Sequence, residues 1–90
     1  MSGKHASVKD GTVYVNGKKF IKPAATYSMS SAERSYFVLG NLAAAYQNGH
    51  SKQPATASGG TLYLGPQNIM TPVNGDPSAE ELAAQLNKIK

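Results

Sequence analysis

Few side chains in this sequence could serve as an acid, a base or a metal ligand. The chain has two histidines, His5 and His50, and its five carboxylates are scattered over different predicted elements. It has no cysteine, which excludes thiolate metal clusters and disulfides. Catalysis requires a base held within hydrogen-bond reach of its partner, and neither histidine has an obvious packing neighbour. The sequence therefore predicts a protein that is not an enzyme and that holds no metal or cofactor.

The stretch "SGGTLYLG" could be mistaken for a phosphate-binding loop, because glycine-rich turns can direct backbone amides at an anion. The P-loop pattern G-x-x-x-x-G-K-[ST] is absent, and Gly59 and Gly60 precede a predicted strand rather than a helix. We interpret these two glycines as loop hinges.

Positive charge is concentrated near the N-terminal end. Residues 1–22 contain five lysines and one carboxylate, Asp10, which accounts for the whole net charge of +4 because residues 23–90 balance to zero. Such asymmetry suggests an anionic partner, although lysines on a hairpin also protect strand edges from aggregation. A single arginine is poor for reading bases. The candidate nucleic-acid-binding residues are Lys4, Lys9, Tyr14, Lys18, Lys19 and Lys22.

The stretch "TVYVNGKKFIK" predicts a β-hairpin. Asn16-Gly17 readily adopts the positive φ angles of a type I′ turn, and both flanking runs are rich in strand-forming residues. A two-residue loop would pair Val13 with Phe20. Because an isolated hairpin is marginally stable in water, another element must cover its apolar base.

A central helix is predicted from about residue 31 to 47. Ser30 and Glu33 have the spacing of a capping box, and Asn48-Gly49 supplies a stop. Apolar side chains surround almost the whole helix, which is typical of a helix buried on more than one face. A chain of 90 residues has little material to enclose it, so an exposed apolar patch for a protein partner is expected.

The rest of the chain predicts a loop, a strand and a second helix. Residues 48–60, "NGHSKQPATASGG", are interpreted as a flexible loop or linker, and residues 61–65 as a short strand. Pro72 confines the following "QNIMTPV" to a sheet edge or irregular structure. The second helix is expected over about 77–89, with Asp76 as its cap. No internal repeat is evident in the sequence.

These elements predict a single α+β domain over residues 1–90, with 48–60 as an internal loop. The N-terminus lacks a hydrophobic signal region, and no apolar run is long enough to span a membrane. Cytoplasm or a virion is therefore the default location. The Ala-, Gly-, Ser- and Asn-rich composition resembles that of minor structural proteins of phage particles in general terms.

We accordingly expect a small non-enzymatic structural or adaptor protein that packs against other subunits of an assembly or against copies of itself. One alternative is a basic nucleic-acid-binding module, and another is a small inhibitor that docks its hairpin tip or C-terminal helix in a groove of a host enzyme. Nucleic-acid binding should weaken steeply as the ionic strength rises, whereas the affinity of apolar docking should barely change, so a salt titration distinguishes the two. The candidate partner-binding residues are Tyr36, Phe37, Val38, Leu42, Leu82, Leu86 and Ile89.

Overall fold

Two three-stranded antiparallel sheets, each followed by a helix, make up the chain in a computed structural model that describes residues 5–90. The first sheet has the strand order β1-β2-β3, and the second has the order β4-β5-β6. The elements are β1 (Ala6–Lys9), β2 (Thr12–Val15), β3 (Lys18–Ile21), α1 (Ser31–Gln47), β4 (Ala55–Ser58), β5 (Thr61–Leu64), β6 (Gln67–Met70) and α2 (Ala79–Ile89). The predicted α+β class is confirmed.

The two sheets have the same register, so the chain contains an internal repeat. Ala6 lies opposite Val15, and 49 positions later Ala55 lies opposite Leu64. The pairs β2–β3 and β5–β6 each contain one register shift, again 49 positions apart. The expectation that no repeat exists was wrong. We call residues 6–47 the first half and residues 55–89 the second half.

The helices of the two halves also begin alike. Ser30 and Glu33 form a complete capping box at α1, and Ser78 and Glu81 form the same box at α2. These boxes are 48 positions apart, because the connection from β6 to α2 is one residue shorter than that from β3 to α1. We therefore call residues 49 apart in the strands, or 48 apart in the helices, twin positions.

One hydrophobic core serves both halves. Each helix packs on the first two strands of its own half and also on the third strand of the other half: α1 contacts β1, β2 and β6, and α2 contacts β4, β5 and β3. The buried side chains of all eight elements form one continuous cluster. Neither half therefore contains a complete core of its own.

Side-chain amides on the helices cover the third strands. The Asn41 Nδ2 atom of α1 donates to the Ile69 carbonyl at 2.9 Å, and the Gln85 Nε2 atom of α2 donates to the Phe20 carbonyl at 3.2 Å. Ile69 and Phe20 occupy twin positions. An edge strand left open is a template for pairing with another chain, and these contacts close part of both edges.

Several local predictions are confirmed. The helix α1 has the predicted bounds and capping box, and the Asn16-Gly17 turn joins β2 to β3 with positive φ at both residues. The predicted partner of Val13 was wrong: a bulge in the β2–β3 pair places Val13 opposite Ile21 instead of Phe20. This shift allows the consecutive residues Phe20 and Ile21 both to be buried.

Two other expectations need correction. The predicted loop over 48–60 contains β4, and Gly59-Gly60 forms the tight turn between β4 and β5 rather than a hinge. The cap of α2 is Ser78 and not Asp76, so the helix begins two residues later than predicted. Asp76 instead forms an ion pair with Arg34 of α1 at 2.8 Å.

Candidate interaction surfaces

The internal repeat supplies a reference for judging the surface. Residues at twin positions occupy equivalent places in the same topology, so an exposed side chain that makes no hydrogen bond within the chain and differs in character from its twin is not required by that topology. Two groups of such residues lie on α1 and on the first sheet.

The first difference lies on the exposed side of α1. Tyr36 is 51% exposed and Phe37 is 66% exposed, and Gly40 and Ala43 continue the same side along the helix. We call these four residues the α1 outer face. The α2 twins of Tyr36, Phe37 and Gly40 are also exposed, and they are Ala84, Gln85 and Lys88. A surface without aromatic rings is thus sufficient at the twin positions, so the shared topology does not require the rings of Tyr36 and Phe37.

Gly40 adds an independent observation to the α1 outer face. A Cβ atom placed at Gly40 would meet no atom of the chain within 4 Å, so the fold does not need glycine there. Glycine in the middle of a helix costs roughly 1 kcal/mol relative to alanine. Gly40 leaves the backbone of α1 uncovered at this point.

Substitution of Gly40 by alanine should therefore raise the free energy of unfolding by about 1 kcal/mol. The site is exposed and open, so the added methyl group meets no clash. Urea unfolding followed by circular dichroism measures the change. A loss of stability would mean that Gly40 has a role within the chain.

A groove runs beside the α1 outer face, between α1 and β6. Its volume is about 280 Å³, and Met29, Phe37, Asn68 and Met70 are among the residues that line it. In the second half, the twin of Phe37 is Gln85, whose amide lies against the carbonyls of β3. In the first half, Phe37 is largely exposed and the corresponding amide comes from Asn41, one turn later. The lining of the groove therefore differs from the corresponding place in the second half in sequence rather than in backbone topology.

The other predicted partner-binding residues lie elsewhere. Val38, Leu42, Leu82 and Leu86 are all at most 2% exposed, and their side chains belong to the shared core. Ile89 is half-buried and packs against that core. Of the predicted set, Tyr36 and Phe37 are the two that are largely exposed. The β6 side of the groove was missed, because only the repeat indicates which strand α1 crosses.

The second difference is the charge of the first sheet. Alternation along the strands places Lys9, Tyr14 and Lys19 on the side that faces away from the core: Tyr14 pairs with Lys19, while the neighbouring Val13 and Val15 point into the core. Lys22 extends this surface beyond β3. Lys18 pairs with Val15 at the exposed hairpin tip, so it lies at the margin of this surface and its side chain starts from the opposite side of the ribbon. We call these five residues the basic sheet face. Lys4, also predicted, lies outside the described residues.

The second sheet is neutral at every twin position. Lys9, Lys18, Lys19 and Lys22 are replaced by Ser58, Gln67, Asn68 and Thr71, and Tyr14 is matched by Tyr63. Over residues 5–90 the ammonium groups of the basic sheet face take part in neither ion pairs nor hydrogen bonds with the rest of the chain. The four lysines are thus free to contact an anionic ligand.

Both histidines have packing partners, contrary to expectation. The His5 ring stacks on the ring of Tyr46 with centroids 4.6 Å apart, and the Nδ1 atom of His50 is 2.7 Å from the Oε1 atom of Gln53. In the described part of the chain, no three side chains of His, Asp or Glu lie close enough together to hold a metal ion. None of its helices is long and apolar enough to cross a membrane.

The carboxylates with shifted pKa values are held by structural contacts. In each capping box, the serine backbone N–H donates to the glutamate carboxylate, and the serine hydroxyl accepts from the glutamate backbone N–H. The hydrogen bonds with the serine backbone and then with its side chain lower the pKa of Glu33 and of Glu81. Burial tends to raise the pKa of Asp76, but hydrogen bonds from Arg34 and from two backbone amides outweigh burial and lower it. These shifts arise from helix caps and one buried ion pair rather than from a group of residues converging on a substrate.

The chain thus has two candidate surfaces. One is the α1 outer face with its adjoining groove, and the other is the basic sheet face, which includes the ring of Tyr14. The aromatic rings of the first surface and the lysines of the second have no counterpart in the twin half, which has the same topology. Comparison of the chain with protein-family models, with curated proteins and with solved structures finds no match.

Proposed function

We propose that this chain is a non-enzymatic adaptor or structural subunit that docks its α1 outer face on an apolar helix of another protein in an assembly. The observation that carries the proposal is the exposure of Tyr36 and Phe37 where the twin helix exposes Ala84 and Gln85. Large exposed aromatic residues next to a groove are typical of protein-binding surfaces. The assembly suggested by composition, a phage particle, stays a prediction.

The chemistry of the surface favours a helix as the occupant. Gly40 and Ala43 leave a shallow path along α1 in which a second helix can approach closely, with the rings of Tyr36 and Phe37 beside it. The groove between α1 and β6 can accept one large apolar side chain from that helix. Glu33 is the only charged residue exposed on α1, so the matching surface is apolar and nearly uncharged.

Size and charge favour a different protein over a second copy of this chain. A stable interface buries about 800 Å² per partner, which is roughly a sixth of the 5127 Å² surface of this chain. One helix side is smaller than that, so the partner must extend over the groove and β6. A second copy would also bring another net charge of +4, and the two like charges would repel.

The test uses a synthetic 18-residue amphipathic helix with leucine on one face, titrated into the ¹⁵N-labelled chain. We expect amide shifts confined to α1 and β6. The matched variant carries Tyr36→Ala, Phe37→Gln and Gly40→Lys, which gives α1 the residues of its twin helix. This variant should bind the peptide at least tenfold more weakly while remaining as stable as the original chain, because none of the three side chains is buried.

Two results would contradict this proposal. Equal binding of the peptide by the original chain and by the triple variant would show that the α1 outer face is not the docking site. A stable dimer of the unmodified chain in sedimentation velocity, abolished by the triple variant, would identify a second copy as the occupant instead.

A further inference from the structure

We propose that the basic sheet face binds single-stranded nucleic acid, with its lysines on the phosphates and the Tyr14 ring stacked on a base. This inference concerns a surface that the docking proposal does not use, and it does not depend on that proposal. Its ligand class follows from the chemistry of the five residues and from their arrangement on the first sheet.

The register of the first sheet places a ring among the lysines. Tyr14 lies on the central strand, opposite Ser7 on one side and Lys19 on the other, and Lys9 lies one pair further along on the same side. The Cβ atoms of directly opposed residues are about 5 Å apart and those of diagonal neighbours about 7–8 Å apart, so Lys19 and Lys9 flank the ring on its two sides. Ser7 is too short to cover the ring, which is partly exposed. Stacking on such rings beside a basic surface is a common mode of single-strand binding.

The second sheet argues against a purely protective role for these lysines. Charged residues on strand edges prevent edge-to-edge aggregation, and this would be an adequate reason for them in a chain with one sheet. The second sheet has the same strand order and the same two edges, yet its twin positions are all uncharged. Edge protection is therefore achieved without lysine in this fold, and the mutual repulsion of four unpaired ammonium groups requires another explanation.

Other anionic ligands fit this surface less well. Bidentate reading of base edges in a duplex relies on arginine, and Arg34, the only arginine, is paired with Asp76 on the other side of the core. Anionic membranes are usually bound by basic residues together with inserted apolar side chains. The exposed large hydrophobic residues of the described chain lie elsewhere, at Tyr27, Tyr36, Phe37 and Val73.

The basic sheet face and the α1 outer face point in opposite directions. α1 packs on the core side of β1 and β2, whereas the basic sheet face is the reverse side of the same strands. A nucleic acid strand and a protein helix could therefore bind at once without contacting each other.

The experiment measures fluorescence anisotropy of a labelled 12-nucleotide oligo(dT) as the full chain is added at several salt concentrations. Neutralisation of four phosphates on a single strand gives a slope of log K against log salt of about −3. The affinity should therefore fall roughly fiftyfold between 50 and 200 mM salt. The neutral variant takes the residues of the second sheet, with Lys9→Ser, Lys18→Gln, Lys19→Asn and Lys22→Thr, and it should lose binding and the salt dependence.

Two further variants separate charge from stacking. Tyr14→Leu should weaken binding roughly tenfold without changing the salt slope, because stacking is not screened. The reverse variant, with Ser58→Lys, Gln67→Lys, Asn68→Lys and Thr71→Lys, should create a second site around Tyr63. The triple α1 variant serves as a control and should bind the oligonucleotide as tightly as the original chain, so failure of the docking proposal leaves this result unchanged.

Three results would overturn the inference. They are binding of the oligonucleotide by the neutral variant as tight as that by the original chain, tighter binding of a duplex of the same length than of the single strand, and binding of phosphatidylserine vesicles without binding of the oligonucleotide. Circular dichroism of each variant confirms folding, and the reverse variant keeps the test independent of any loss of stability in the neutral one.

Discussion

Replacement of Asp76 by alanine should lower the free energy of unfolding by about 3–5 kcal/mol. The Asp76 side chain is fully buried, and its oxygens accept from the Arg34 Nη2 atom at 2.8 Å, the Ala24 backbone N–H at 2.7 Å and the Val73 backbone N–H at 3.0 Å. Alanine would leave the guanidinium, itself only 11% exposed, without its counter-charge. Urea unfolding at neutral pH measures the loss.

The pH dependence of the stability lost on substitution of Asp76 provides a control. The folded-state pKa of Asp76 is lowered from the ordinary value of 3.8, so its ionic contribution is fully present above about pH 4 and is lost as the pH falls through the folded-state pKa. The difference in stability between the original chain and Asp76→Asn should therefore shrink in acid. A difference that is negligible at pH 7, or that grows in acid, would mean that the ion pair does not stabilise the fold.

Replacement of Leu86 by alanine should cost about 2–5 kcal/mol of stability. Leu86 is completely buried in the shared core, and its twin position holds Val38, which is 2% exposed. The expected loss is a large fraction of the roughly 5–13 kcal/mol typical of a folded chain of this length. Thermal unfolding followed by circular dichroism, combined with urea titration, measures it.

Phe37→Ala is the matched comparison for Leu86→Ala. Phe37 is 66% exposed, so removal of its ring should change stability by less than about 0.5 kcal/mol. The sequence placed both residues in one partner-binding set, whereas the fold assigns Leu86 to the core and Phe37 to the surface. An unchanged free energy of unfolding for Leu86→Ala would indicate that Leu86 is not a core residue and would contradict this assignment.

Local signals in the sequence were strong enough to predict α1 and the β2–β3 hairpin. A capping box and an Asn-Gly pair each determine backbone geometry over a few residues, and both lie where they were expected. β1 and β4 were missed because "ASVK" and "ATAS" contain few large apolar residues. The turns that follow them, Asp10-Gly11 and Gly59-Gly60, are the available signal, since both pairs suit a type I′ turn.

The internal repeat was missed because aligned residues of the two halves are similar in chemical type but are seldom identical. Residues 6–23 and 55–72 align without a gap, and apolar, turn and hydroxyl positions correspond, but only five residues are identical. They are Ala, Gly, Thr, Tyr and Pro at positions 6, 11, 12, 14 and 23, matched at 55, 60, 61, 63 and 72. Without the repeat, the sequence could not indicate that α1 crosses β6 or that the charge of the first sheet is unusual for this fold.

Each helix packs on strands of both halves, and this arrangement has a consequence for folding. Since α1 covers the third strand of the second half and α2 covers that of the first, a half that formed alone would expose apolar side chains that only the other half can bury. Stacked repeat proteins can unravel one unit at a time, because each unit depends only on its neighbours. In this chain, the loss of either half removes part of the other's core, so we expect folding and unfolding to be cooperative over both halves together.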